Sequence, residues 1–260
     1  MDHAARIRQR VLALFLPVAA VLYVGSEAVT PRGADQVVTT TAAAFRLLAI
    51  AGTHPAQLYV AGTLAVLALG AVAISYAAIA ALVRGRGSAL ATTAALVGGV
   101  GAFCGALVNV LNFVNLATAA TAHLSRGAAA QFLVTSFSSG FGRGFLYAYA
   151  AGQYLGPVLM GVALWRSRSV PRWLAALFAV GLEVAEQVPS AGPVKVVLLM
   201  LPFAAAMMLL AARIWLAAAR PASSGLAPAG GPAQSGSSIG PISANTSPGP
   251  GLSGWVRPPR

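Results

Sequence analysis

The sequence predicts an all-α protein: a polytopic transmembrane helix bundle of six spans, with short surface helices in the outer loops and a disordered C-terminal tail. Three observations predict it. The chain is 58% hydrophobic and 8% charged, where a soluble domain carries about 25% charged residues. Six apolar stretches, at about 11–28, 57–83, 89–117, 145–165, 173–188 and 194–212, are separated by short polar or basic segments, and stretches of this kind are the length that a bilayer core requires. The basic residues then alternate with the spans. With the amino terminus inside, Arg6, Arg8, Arg10, Arg84, Arg86, Arg166, Arg168, Arg172, Arg213, Arg220, Arg257 and Arg260 fall inside, and Arg32, Arg46, Arg126, Arg143 and Lys195 outside, 12 against 5. That is the bias that orients membrane proteins.

Composition also excludes classes. The formal charge of +12 is spread between apolar runs instead of gathered on one soluble face, which argues against a nucleic-acid partner and leaves the lipid bilayer as the expected one. The single cysteine, Cys104, permits no intrachain disulfide and no cysteine metal cluster; it reads as a small packing residue. Of the 17 basic residues 16 are arginine, and alanine is abundant, a bias of GC-rich bacterial coding. The expected location is therefore the bacterial plasma membrane, with both termini cytoplasmic.

Taken in order, residues 1–10 form a basic cytoplasmic N-terminus, and 11–219 form the transmembrane domain. The first span contains Pro17, Ser26 and Glu27 and is followed by no clean small-x-small site, so it reads as an uncleaved signal anchor. Asp35 to Ala51 reads as a helix starting at Asp35, with an apolar stripe of Val38, Ala42, Phe45 and Leu48 lying on the outer surface or tucked against the bundle. Pro55 suits the first turn of the second span, where its missing N–H costs nothing. Arg84 and Arg86 then make a tight basic turn into the third span. A comb of Gly98, Gly99, Gly101, Ala102, Gly105 and Ala106 puts this span at the centre of the bundle. With Gly62, Gly70, Gly152 and Gly156, it predicts that spans two, three and four pack closely, and it offers glycine-rich faces for homo- or hetero-oligomers.

Between Thr118 and Arg143, the spacing of Ala129, Phe132, Leu133, Ser136 and Phe137 predicts a second surface helix. Gly140, Gly142 and Gly144 lead into the fourth span; with no strand before them they read as flexible entry and not as a phosphate loop. Arg166, Arg168 and Arg172 mark another tight turn, and Pro189 and Pro193 bracket the turn between spans five and six. Residues 220–260 are expected to be a disordered cytoplasmic tail, because 24 of the last 40 residues are Pro, Gly or Ser.

Polar groups within the spans are the candidate sites. Asn109, Asn112 and Asn115 fan across roughly 120° of one helix side, either as interhelical hydrogen-bond formers or as a binding face. Glu183 and Glu186, three apart, share a side and form either a proton or cation site or ordinary ion pairs with Arg143 or Lys195. With Glu27, these residues and Arg143 define a candidate polar cavity opening outward, because the first, third and fifth spans run in one direction and bring their polar ends to one depth. Gln153 and Pro157 define a candidate mid-membrane binding point, since a proline kink frees a carbonyl there. His54 and His123 show no metal-ligand spacing, so no metal is expected. Nor do the residues imply a cofactor or a catalytic group.

From Val11 to Ala219 the chain resembles the uncharacterised six-span membrane proteins of high-GC actinobacteria, with their Ala- and Gly-rich bundle, tight turns such as Arg84-Gly85-Arg86, and a Pro/Gly/Ser tail. The resemblance implies a fold and carries over no substrate or site residue. The expected function is a non-enzymatic membrane protein (scaffold, sensor or accessory subunit); a small-molecule or ion transporter is the alternative and a membrane-embedded enzyme the third.

Overall fold

In an apolar segment away from water the backbone satisfies its own N–H and C=O groups within a helix, and among the described residues every regular element is helical. The structure, a computed structural model, describes residues 3–34, 38–122, 124–186 and 193–219, without the side chains of 3, 182–186 and 193–196. The elements are α1 (His3–Val29), α2 (Thr41–Thr53), α3 (Pro55–Leu82), α4 (Ser88–Asn109), a π-helical turn (Val110–Val114), α5 (Asn115–Thr121), α6 (Arg126–Ser138), α7 (Gly140–Ser167), α8 (Arg172–Glu186) and α9 (Pro193–Ala219). Asp35, His123, Pro189 and the expected tail at 220–260 lie outside the described residues.

Among the described residues four helical segments are long and apolar enough to cross a membrane: Ala4–Val29, Pro55–Leu82, Ser88–Thr121 and Val197–Ala219. The expected fourth and fifth spans are not in that group. α8 has 15 residues, about 22 Å against a hydrocarbon core of roughly 30 Å. α7 has the length, at 28 residues, but Arg143, Gln153 and its glycines and tyrosines dilute its apolar character.

The long helices pack in a closed order. α1 lies on α3 and α9, α4 on α3 and α7, and α8 on α7 and α9. Specific contacts fix the register: Ser26 Oγ donates to Ala61 O at 2.9 Å, Ser169 Oγ donates to Leu82 O at 3.4 Å, and the rings of Tyr23 and Phe203 meet edge-on at 6.3 Å. The start of α1, the α3–α4 turn, the α7–α8 turn and the end of α9 therefore share one end of the bundle. Gly85 and Gly87 take positive φ in the first of these turns, and Arg168 takes φ 54° in the second.

The closest approach in the bundle is the α4–α7 seam. A Cβ on Gly101 would fall onto the Gly152 backbone, one on Gly156 would stand 2.7 Å from Gly98 Cα, and one on Gly105 would stand 2.5 Å from Tyr149 Cδ2. Glycine is required there because only a side chain of hydrogen lets the two backbones touch. Gly62 likewise seats Phe113, whose Cβ is 2.8 Å from the position a methyl would take. Gly70 departs from the expectation: it faces open space and joins no seam.

A second, smaller core sits at the other end, where α2, α5 and α6 bury Leu47, Leu48, Leu116, Leu133 and Phe137 together. α2 begins at Thr41, behind an N-cap in which Thr40 accepts from the Ala43 N–H. Its buried face is Ala44, Leu47, Leu48 and Ala51, whereas Ala42 and Phe45 of the expected stripe are exposed. The face is set by packing on α5 and α6, and the alanines on both sides of α2 gave the pattern little contrast. α6 starts at Arg126 behind the Ser125 cap and buries Ala129, Ala130, Leu133 and Phe137, leaving Phe132 exposed.

Candidate functional site

Along α4 the positions Gly98, Gly101, Gly105, Asn109 and Asn112 follow one another at spacings of three and four, so the seam leads directly into the asparagines. Asn109 is half-buried and donates from Nδ2 to Gly105 O at 2.9 Å, a bond within its own helix. That places a second donor on a carbonyl one turn back, an arrangement that competes with the regular helix ladder. The ladder changes register immediately afterwards. The Asn115 N–H is shared between Asn112 O and Val110 O, the latter five residues back, and Val110–Val114 form a π turn. The expected regular α-helical fan of the three asparagines is therefore interrupted: the extra residue in the turn rotates Asn115 relative to Asn109.

Asn112 is the polar residue that the fold leaves in tension. It is 6% exposed, and its Oδ1 is buried with no hydrogen-bond partner among the described residues. Elsewhere buried side-chain hydroxyls are spent on nearby carbonyls: Ser75 on Ala71 O at 2.7 Å and Thr30 on Ser26 O at 2.8 Å. An orphaned buried acceptor costs about 1–3 kcal/mol, and single π turns occur frequently at functional sites.

The other expected site residues are dispersed. Glu27 is half-buried on α1; Arg143 is exposed in the first turn of α7; Asn115 is half-buried. Among the described residues no hydrogen bond joins Arg143 to an asparagine. Glu183 and Glu186 end α8, with their side chains outside the described residues. The helices that carry Glu27, the asparagines and the glutamates alternate around the bundle, each separated from the next by α3, α7 or α9.

At mid-bundle, Gln153 is half-buried and Pro157 buried, between glycines that contact α4. Pro157 lacks the N–H that would bond Gln153 O. Sequence reasoning missed Tyr76, which is 5% exposed, lies over Gly98, places its Oη 2.8 Å from the Cβ position of Gly156, and meets Phe178 edge-on at 6.3 Å. An aromatic residue on the helix opposite two glycines was the available signal. Among the described residues no group of three His, Cys, Asp or Glu side chains could hold a metal, and His54 is exposed between α2 and α3.

Residues 11–219 match a family described as a domain of unknown function, DUF4386. The chain belongs to the DUF4386 family. No curated protein and no solved structure matches it. Within this DUF4386 domain fall every helix beyond the first two turns of α1, the glycine seam, the π turn and both cores.

Proposed function

We propose that this DUF4386 chain is a non-enzymatic protein of the bacterial plasma membrane, a scaffold, sensor or accessory subunit with six spans. The observation that carries the reading is how hydroxyl and amide groups inside the bundle are used: Asn109, Ser75, Thr30 and Ser26 donate to local or interhelical carbonyls. Two features support six spans. α7 is held to α4 by glycine contacts from Gly98 to Gly105 and so shares its depth, and α8 closes the packing order between α7 and α9. The orientation draws support from the arginines. Among the described residues, Arg6, Arg8, Arg10, Arg84, Arg86, Arg166, Arg168, Arg172 and Arg213 belong to one end, and Arg32, Arg46, Arg126 and Arg143 to the other. By the positive-inside bias the first end is cytoplasmic, which puts both termini and the Pro/Gly/Ser tail inside. Phosphatase fusions test this: fusions after Arg86 and Arg168 are inactive and one after Arg126 is active, and the reverse at any of them overturns the topology.

The alternative is a transporter of a small molecule or ion, and the orphaned Asn112 oxygen on its π turn favours it. Its cavity would open outward and draw on Glu27, Asn109, Asn112, Asn115, Arg143, Glu183 and Glu186, with Gln153 and Pro157 deeper in the membrane. Purified full-length chain in vesicles with a pH gradient separates the two readings. Gradient-driven uptake that is abolished by Asn112→Leu replaces the non-enzymatic reading with the transporter.

A further inference from the structure

Arg6 and Arg10 lie four apart on one face of α1; both are half-buried, and Arg10 meets α9. The Arg10 guanidinium stands 5.7 Å over the Trp215 ring and donates from Nη2 to Ala218 O at 3.4 Å, at the carbonyl end of α9. Nε of each arginine is buried and has no hydrogen-bond partner among the described residues. Gln9, between them in sequence, is 7% exposed. Two like charges at this spacing repel one another, and a partly buried guanidinium without a counter-anion is a costly group.

Among the described residues the acidic groups stand away from them. The sequence has five acidic residues; Glu27, Glu183 and Glu186 belong to the opposite end of the bundle, and Asp2 and Asp35 lie outside the described residues. Arg10 is braced on α9 by Trp215 and Ala218, and Arg6 lies one helical turn away on the same face of α1. Guanidinium groups braced in this way present their outer N–H groups as a fixed fork, the geometry that suits a phosphate.

We infer that Arg6 and Arg10, with Trp215 beside them, form a binding site for a phosphate group at the arginine-rich end of the α1–α9 contact, supplied by an anionic lipid headgroup or by a soluble phosphate. A bridging phosphate cancels the repulsion between the two cations and gives their N–H groups an anionic acceptor. Trp215 is exposed near the end of α9, and tryptophans at the ends of membrane helices are enriched at headgroup level. The inference rests on the membrane reading but not on the number of spans or the direction of the chain.

The test compares full-length protein reconstituted in phosphatidylcholine nanodiscs containing about one-twentieth phosphatidylglycerol, with co-retained lipid measured by native mass spectrometry. Wild type retains phosphatidylglycerol roughly tenfold above its share of the bilayer. Arg6→Gln/Arg10→Gln removes that enrichment. The control Arg8→Gln/Arg213→Gln changes net charge equally on the same two helices at exposed positions, and it keeps the enrichment. Should the first variant fail to fold, Arg6→Lys/Arg10→Lys preserves the charge but not the fork, and its enrichment falls at least severalfold. Inorganic phosphate at millimolar concentration, added to protein in pure phosphatidylcholine, distinguishes the source: a rise in Tm that requires Arg6 and Arg10 assigns the site to soluble phosphate. Absence of both enrichment and phosphate response in wild type, or equal loss of enrichment in the two glutamine variants, overturns the inference. A misplaced topology would leave these outcomes unchanged.

Discussion

The glycine seam and the asparagine turn occupy one line along one helix, yet they pack by opposite rules. From Gly98 to Gly105 the α4 surface is bare backbone, and α7 comes close enough that a single methyl has nowhere to go. At Asn109 and Asn112 the same line carries amides, and the helix takes an extra residue into one turn, which rotates Asn115 away from it. In the seam the interaction energy is dispersion over well-matched surfaces and needs no partner chemistry. At the turn, each amide must find a donor or acceptor, and Asn112 does so incompletely. The comparison teaches that the α4–α7 pair is rigid where it is apolar, and that any adjustment to a ligand or partner belongs to the turn above it.

The largest expected effect comes from breaking the seam. Gly101→Leu forces a branched side chain onto the Gly152 backbone, which cannot move aside as a flexible side chain can. Overpacking typically costs about 1–3 kcal/mol and occasionally more, and this site lies at the upper end because both contacting atoms are main chain. Purified protein should lose its cooperative melting transition or melt far below wild type, and Gly152→Leu should match it. Gly70→Ala is the control, since a methyl there meets open space; replacing a helix-interior glycine should leave Tm unchanged or slightly raised. Similar losses from Gly70→Ala and Gly101→Ala would mean that the seam has no special status.

Next in size, and opposite in sign, is Asn112→Leu. The two side chains are close in volume, and the substitution removes a buried oxygen that has no partner among the described residues. Replacing an unsatisfied buried polar group with an apolar one of similar shape is neutral or stabilising, so Tm should hold or rise, by an amount equivalent to about 1–3 kcal/mol at most. A clear fall in Tm would mean that Oδ1 has an acceptor's role in a bond of its own, and the contrast between seam and turn would then soften.

How much of this was legible follows from what each residue type needs. The seam was readable because glycines repeated at three and four in a span have little purpose except close approach, and Gly101 with Gly152 and Gly98 with Gly156 meet accordingly. Gly70 shows the limit: a glycine's spacing does not say whether a neighbour stands opposite. The helix order was hidden because alternating spans of similar composition carry no label for their neighbours, and it is the packing that places α3 between α1 and α4. The face of α2 was misjudged because alanine occupies both its buried and exposed positions. Asn112 was singled out from sequence, but neither its burial nor the π turn could be read there, since residue spacing carries neither the packing around a side chain nor a local change of hydrogen-bond register.

The smallest effect sharpens the comparison most. Asn109→Ala removes one side-chain bond, from Nδ2 to Gly105 O, and polar side-chain bonds within membrane proteins average about 0.6 kcal/mol. On stability alone it is a minor change. Its value lies in the pair it makes with Asn112→Leu. If the Asn109 bond to the last glycine of the seam sets the register of the π turn, removing it relaxes the turn and re-aims Asn112, and the gain from Asn112→Leu shrinks in the double variant. Coupling of about 0.5 kcal/mol or more, obtained from the four melting curves of the cycle, would tie the turn to the seam through Asn109. Additivity within about 0.3 kcal/mol would detach them, and the π turn would then be a product of Phe113 packing against Gly62, independent of the amide that precedes it.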